Sequence, residues 1–177
     1  MKNQVYEKPR LSFSEALTEA KEKLTQFTGR SRRSEFWWCY LAYLLVSMFL
    51  GWIPFIGSLI TTLAALAMIP LTFRRLHDTG RSGWWWGAGC IASVIAVIII
   101  ICQMVPLFME LADDPSLMDD DEFVIELFIN MFKSPVTWIL LGLGLIYEIV
   151  MLVFFCLDSD PHANKYGESP KYVEQMQ

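Results

Sequence analysis

Between Phe36 and Phe73 the chain runs for 38 residues without an Asp, Glu, Lys or Arg, and this constrains its fold more than any other feature. A second charge-free run extends from Ser82 to Met109, and from Ser134 to Leu157 the only charged residue is Glu148. A helix needs roughly 20 residues to cross the hydrocarbon core of a bilayer, about 30 Å thick. Hydrocarbon offers the backbone no water, so each such run must satisfy its own N–H and C=O groups as a helix. Of the 177 residues, 54% are apolar and 19% charged. A soluble domain carries about 25% charge and interleaves it with its apolar positions. The sequence therefore predicts an all-α chain, a polytopic membrane helical bundle, with residues 1–177 forming a single membrane domain.

The longest run has to fold back. As one helix at about 1.5 Å per residue it would reach about 57 Å, nearly twice the hydrocarbon core. The reversal is expected at Gly51-Trp52-Ile53-Pro54-Phe55-Ile56-Gly57, where proline lacks an amide donor and glycine permits a turn. Four transmembrane helices follow, at residues 35–50, 55–73, 84–108 and 135–157, with Pro70 placed to kink the second near its end. Upstream, residues 11–27 read as an N-terminal amphipathic helix. Phe13, Ala16, Leu17, Ala20, Leu24 and Phe27 follow helical spacing, and Ser12 with Glu15 fits a capping box. That helix is expected either at the headgroup boundary, apolar side down, or packed on the cytoplasmic ends of the bundle. Residues 109–134 form an acidic extracytoplasmic loop whose Phe123, Ile125, Leu127, Phe128, Ile129, Met131 and Phe132 suit a short helix on the membrane surface. Residues 158–177 are a polar cytoplasmic tail.

Orientation follows from Lys and Arg alone, since acids contribute little to it. The segment up to Glu35 holds eight, the first turn none, the loop before Trp84 three, the acidic loop one (Lys133) and the tail two. With four crossings, all three basic segments and both termini share the cytoplasmic face. Trp37, Trp38, Trp84, Trp85 and Trp86 fall at that boundary, where amphipathic rings favour the headgroups. The polar start MKNQVYEKPR lacks the apolar stretch of a secretory signal, so insertion through the chain's own helices is expected. The basic residues flank apolar spans, which argues against nucleic acid as a partner. Cys39, Cys90, Cys102 and Cys156 lie inside apolar runs and read as reduced packing residues; with two His, no zinc site is expected.

The densest polar chemistry lies between Arg74 and Trp84. Arg74, Arg75 and Arg81 can make forked contacts to phosphate, His77 titrates near neutrality, and Asp78 can pair with any of the arginines. These residues read in two ways: as a site for anionic lipid headgroups or a soluble anion, or as a positive-inside anchor whose Asp78 and Gly80 shape the loop. The anchor is the plainer reading, although it leaves His77 beside Asp78 without a role. Glu148 sits near mid-bilayer, where a carboxylate costs at least roughly 2.5–3.5 kcal/mol. It would serve a proton or cation path, or bond to a neighbouring helix as the neutral acid; a lone acid makes a poor relay. Gly142 and Gly144 suit close helix packing rather than a nucleotide, since no strand precedes them. No hydrolase, zinc-protease or phosphate-loop motif is present, so neither a catalytic residue nor a cofactor is expected, and an enzyme acting through His77 ranks third.

Three stretches carry a resemblance. Phe27-Thr28-Gly29-Arg30-Ser31-Arg32-Arg33-Ser34-Glu35-Phe36-Trp37-Trp38, then Arg74-Arg75-Leu76-His77-Asp78-Thr79-Gly80-Arg81-Ser82-Gly83-Trp84-Trp85, then Asn164-Lys165-Tyr166-Gly167-Glu168-Ser169-Pro170 resemble the signature stretches of the bacterial inner-membrane family called domain of unknown function 805. The acidic stretch Met109 to Lys133 matches none of its motifs, so four crossings rest on this chain's own hydropathy. The resemblance implies a multi-pass protein of the bacterial cytoplasmic membrane without an assigned activity. It also implies that the three stretches meet on the cytoplasmic face, with Arg30, Arg33, Arg74, Arg75, His77, Asp78, Arg81, Asn164 and Tyr166 as candidates for one polar cluster. Glu35 and Asp78 are then expected to pair with arginines across segments, while Asn164 and Tyr166 close the site. The leading expectation is a non-enzymatic protein that binds a protein partner or anionic membrane lipid through this cluster, with self-association possible. The alternative is a small transporter or channel component using Glu148.

Overall fold

Residues 51–55 reverse the chain between two long helices in the computed structural model, which describes residues 4–175. A short helix α1 (Phe13–Glu22) precedes α2 (Arg33–Leu50), and α3 (Ile56–Asp78) returns beside it. The return is antiparallel. Ser31 N–H donates to the Arg74 carbonyl at 3.0 Å at one end of the pair, while Gly57 lies against the Leu50 carbonyl at the other. A Cβ on Gly57 would stand 1.8 Å from that oxygen, so only glycine fits the turn. Phe55, with φ of 60° and ψ of −62°, centres a γ-turn in which the Ile56 N–H donates to the Pro54 carbonyl at 2.7 Å.

The second helix of this pair runs five residues beyond the expected end at Phe73, so Arg74 to Asp78 are helical rather than loop. The stop is legible in its chemistry. Gly80 sits at φ of 74°, its N–H bonds the His77 carbonyl, and the Arg81 N–H reaches back to the Leu76 carbonyl. This Schellman arrangement needs a glycine one position past the cap. Pro70 lies inside α3 and withholds the N–H that the Leu66 carbonyl would take, yet the helix continues through it.

At α1 the capping box forms: Glu15 N–H reaches Ser12 Oγ, and Ser12 N–H donates to Glu15 Oε2 at 2.8 Å. The helix packs on α2 through Ala16, which is fully buried, and Phe13 meets the Trp38 ring edge-on. Phe13, Leu17 and Leu24 remain exposed, so packing on the bundle leaves an apolar stripe uncovered. Strand β1 (Gln4–Glu7) pairs antiparallel with β2 (Tyr172–Gln175), register Tyr6 to Val173 and Glu7 to Tyr172. The tail expected to be simply polar thus ends in a two-stranded sheet with the start of the chain.

The remaining helices are α4 (Trp84–Asp113), α5 (Asp121–Lys133) and α6 (Pro135–Cys156), with a 3-10 turn at Pro115–Asp119 before α5. Among the described residues, α3, α4 and α6 are long and apolar enough to cross a membrane. Helix α2 falls short of them because its first turns carry Arg33 and Glu35 and a run of Trp and Tyr. Two compact units form: one from β1 to Trp86 together with Leu152 onward, the other Gly87–Met151. In the second unit the close approach lies at Gly89, where a Cβ would stand 2.2 Å from the Tyr147 ring. Gly142 and Gly144, expected to serve that purpose, have nothing within 4 Å of the Cβ position. The α5 helix leaves Ile125, Phe128, Ile129 and Phe132 exposed. Glu148 is likewise exposed on α6. All four cysteines are free thiols, and of these only Cys39 is buried.

Candidate functional site

The end of α3 places Arg74, Arg75, His77 and Asp78 within one turn and a half of helix, on a segment where most side chains are buried. Burying charge this way is costly without partners; Asp78 and Arg75 have them, while Arg74 Nε and Nη1 make no hydrogen bond. Asp78 is the hub. Its Oδ1 accepts from Arg30 Nε at 3.0 Å and its Oδ2 from Arg75 Nη1 at 2.6 Å and Ser159 Oγ at 2.5 Å. The Arg30, Arg75 and Asp78 side chains are each at most 1% exposed.

The guanidiniums spend their remaining donors on backbone carbonyls of the C-terminal segment. Arg30 Nη1 donates to the carbonyls of His162 (2.8 Å) and Gly167 (3.2 Å), and Nη2 to those of Asp160 (2.6 Å) and Asp78 (3.2 Å). Arg75 donates to the carbonyls of Phe155 and Leu157 as α6 ends. A cation is favoured there, because the last carbonyls of a helix lack intrahelical donors and carry its negative dipole end. Only a planar fork with five donors serves so many acceptors at once; an ammonium would not.

Around the hub the tail is laid down in order. The His77 carbonyl accepts from Asn164 Nδ2 at 3.0 Å, and Asn164 Oδ1 accepts from Tyr166 N–H at 2.9 Å. The Tyr166 ring stacks on His77 at 3.7 Å and 6°. His77 Nδ1 lies 3.1 Å from the Gly29 carbonyl, which binds the loop before α2 to the same helix end. Farther along the tail, Lys171 Nζ bonds Asp158 Oδ2 at 2.5 Å and reaches Glu7 Oε1 at 3.5 Å. Burial works against the charge on Asp158. The hydrogen bonds from Lys171 and the Ser159 N–H outweigh it and hold the carboxyl below its ordinary 3.8. For Lys171 burial again opposes the charge, and the bonds with Asp158 and Tyr172 hold the amine above 10.5.

Of the nine candidates, Arg30, Arg75, His77, Asp78, Asn164 and Tyr166 come together. Arg74 lies apart, its Nη1 3.5 Å from Glu35 Oε1, with Ser31 Oγ donating to the other carboxylate oxygen at 2.7 Å. Arg33 is exposed and touches only the edge, donating to the Cys156 carbonyl at 3.2 Å. Arg81 turns away, its guanidinium 4.1 Å over the Phe154 ring. Sequence reading missed Ser159 and the tail carbonyls of Asp160, His162 and Gly167, because a carbonyl leaves no mark in a sequence. Within the cluster the guanidinium nitrogens of Arg30 and Arg75 all bond acceptors of the chain itself. Among the described residues no three His, Cys, Asp or Glu side chains gather as metal ligands would.

Comparison with known proteins falls on the same region. A family model described as "Protein of unknown function (DUF805)" matches residues 24–168. The chain is 35% identical over 91 residues to the inner membrane protein YhaH of Escherichia coli K12, covering 44% of this chain and 75% of that protein. It is 25% identical over 154 residues to the inner membrane protein YhaI of the same strain, covering 82% and 86%. No solved structure matches the chain significantly.

Proposed function

This chain belongs to the DUF805 family, and from that premise we propose that it is a non-enzymatic protein of the bacterial inner membrane that binds anionic lipid through a folded cytoplasmic face. The Arg/His/Asp cluster builds that face rather than touching the ligand. It fastens the tail to the ends of α2 and α3, so the start of the chain, the loop at Gly29 and the tail form one rigid platform. The observation that carries this reading is Asp78, fully buried between Arg30 and Arg75 with Ser159 of the tail on the same carboxylate.

In this reading α2 is the first of four crossings. It rises about 27 Å over 18 residues, close to the hydrocarbon thickness, and exposes Leu41, Leu44, Leu45, Met48 and Phe49. Both termini then lie in the cytoplasm with the basic segments, and the acidic loop outside. Reporter fusions after Lys133 and after Gln177 test this. The first is expected outside and the second inside; a cytoplasmic reporter after Lys133 overturns it. Capture of a protein rather than lipid on this face would redirect the reading to a protein partner.

Glu148 favours a second reading, a transporter or channel component. It is exposed on an otherwise apolar helix, and its charge costs at least roughly 2.5–3.5 kcal/mol there unless a neighbouring chain covers it. A flux in reconstituted vesicles that Glu148→Gln abolishes would support transport, and no flux would remove it.

A further inference from the structure

A cavity of about 470 Å³ opens beside the first turns of α2, where the start of the chain and the tail converge. Its charged lining is Arg10, Arg32, Arg33 and Lys171 against Glu7 and Asp158. Lys171 bonds both of those acids, at 3.5 Å and 2.5 Å, and its single charge offsets one of the two, so the four cations of the lining outnumber its two carboxylates. Three arginines line the space, of which Arg33 also feels the Asp158 carboxylate. Arg32 Nη1 is held by the Pro9 carbonyl at 2.7 Å and Arg33 Nη1 by the Cys156 carbonyl at 3.2 Å, contacts that orient each fork without neutralising it.

Apart from Ser34 the rest of the lining is apolar and aromatic: Leu11 and, along α2, Trp37, Trp38 and, one turn on, Leu41. Trp38 has its indole N–H on the Leu11 carbonyl at 3.1 Å, leaving its ring as an apolar wall. Indoles of this kind settle at the level of the headgroups. Beyond Leu41, the exposed Leu44 and Leu45 continue the apolar track along the helix. A free phosphate would use the arginines and have no need of the rest, whereas an anionic phospholipid uses both ends.

We infer that this cavity is a specific site for the phosphate of an anionic phospholipid, with Arg10, Arg32 and Arg33 on the headgroup and Trp37, Trp38 and Leu41 along the start of its acyl chains. It rests on the reading of this face as cytoplasmic and membrane-adjacent. The site is distinct from the Asp78 cluster, whose guanidiniums are saturated internally. It also gives the fastening of the tail a purpose, because the tail brings Lys171 up to both acids and offsets part of the charge that would repel phosphate.

The test is native mass spectrometry of the full chain, delipidated and offered equal phosphatidylglycerol and phosphatidylcholine. The wild type is expected to retain phosphatidylglycerol preferentially. Removing two basic side chains with Arg10→Gln and Arg33→Gln together should weaken that preference about thirtyfold, at about 1 kcal/mol per charge near the surface. Arg10→Lys with Arg33→Lys should keep most of it, and Lys133→Gln should change nothing. Equal retention of both lipids, no response to the double Gln variant, or displacement by inorganic phosphate as effective as by lipid overturns the site. Protease resistance of the tail separates the two ideas. A resistant tail without lipid preference removes the cavity alone, while a tail cleaved freely in the wild type removes the platform and the cavity with it.

Discussion

Asp78→Asn is the sharpest perturbation of the clasp, because it changes charge with almost no change in shape. Asp78 accepts hydrogen bonds from Arg30, Arg75 and Ser159, and the three charged side chains are at most 1% exposed. An amide keeps one oxygen and turns an NH₂ group toward a guanidinium, so one arginine is left facing a donor. Breaking a buried ion pair from one side costs about 3–5 kcal/mol. The lower end applies here, since Arg30 keeps its carbonyls at residues 160, 162 and 167 and Arg75 keeps those of 155 and 157. About 3 kcal/mol is a shift of roughly 150-fold in the docking equilibrium of the tail. Limited proteolysis of the full chain in detergent reads that equilibrium, because cleavage follows the population of the open form when opening is fast. The matched control is Asp120→Asn, an exposed helix cap on the Glu122 N–H at 2.9 Å, where Asn caps as well as Asp. Tail cleavage in Asp78→Asn no faster than in Asp120→Asn would refute the clasp.

Tyr166→Ala removes the ring stacked on His77 at 3.7 Å; a loss of about 1 kcal/mol is expected, releasing the tail far less than Asp78→Asn in the same proteolysis assay. The junction of tail and N-terminal strand should hold steady through neutral pH and weaken at both extremes. Asp158 is held below 3.8, so its contribution is complete above that value and is lost as pH falls through the folded pKa. Lys171 is held above 10.5, so its contribution is complete below that value and is lost as pH rises through the folded pKa. Amide exchange of residues 172–175 against pH checks both limbs. Gly57→Ala drives a Cβ into the Leu50 carbonyl at 1.8 Å and should destabilise the α2–α3 turn by about 1–3 kcal/mol in thermal unfolding. Gly142→Ala meets nothing within 4 Å and should be neutral or slightly stabilising.

What the sequence made legible follows the strength of the physics behind each signal. Exclusion of charge from hydrocarbon is a large effect, and α3, α4 and α6 could be read from charge-free runs alone. The capping box at Ser12 and Glu15 and the turn at Gly57 are local chemistry and were equally plain. The end of α3 was misjudged because charge looked like a loop, although the Schellman glycine two residues past Asp78 was in view. The strands were invisible for another reason. Four-residue segments, Gln4–Glu7 and Tyr172–Gln175, carry too little alternation to register, and they pair across nearly the whole length of the sequence. The candidate site was half legible: residue types indicated that Arg30, Asp78 and Asn164 belong together, but not that backbone carbonyls would absorb the guanidinium donors.

That absorption changes what the basic motif means. A cluster of arginines at a membrane boundary suggests a site waiting for phosphate, and burial decides whether it is one. A guanidinium open to a lipid keeps solvent on its fork, whereas the Arg30 and Arg75 side chains are at most 1% exposed. Their cost of desolvation is recovered only if every donor is engaged within the chain, so the three stretches have to arrive together or not at all. Sequence separation between residues 30, 78 and 160 thus becomes a test of assembly, met only when the helix ends and the tail come together. Outside this lock, the exposed Arg10 and Arg33 and the buried Arg32 line the cavity beside α2. In the proposed reading, buried arginines fold the face and peripheral ones meet the bilayer, which would give a role to basic residues beyond those the lock uses.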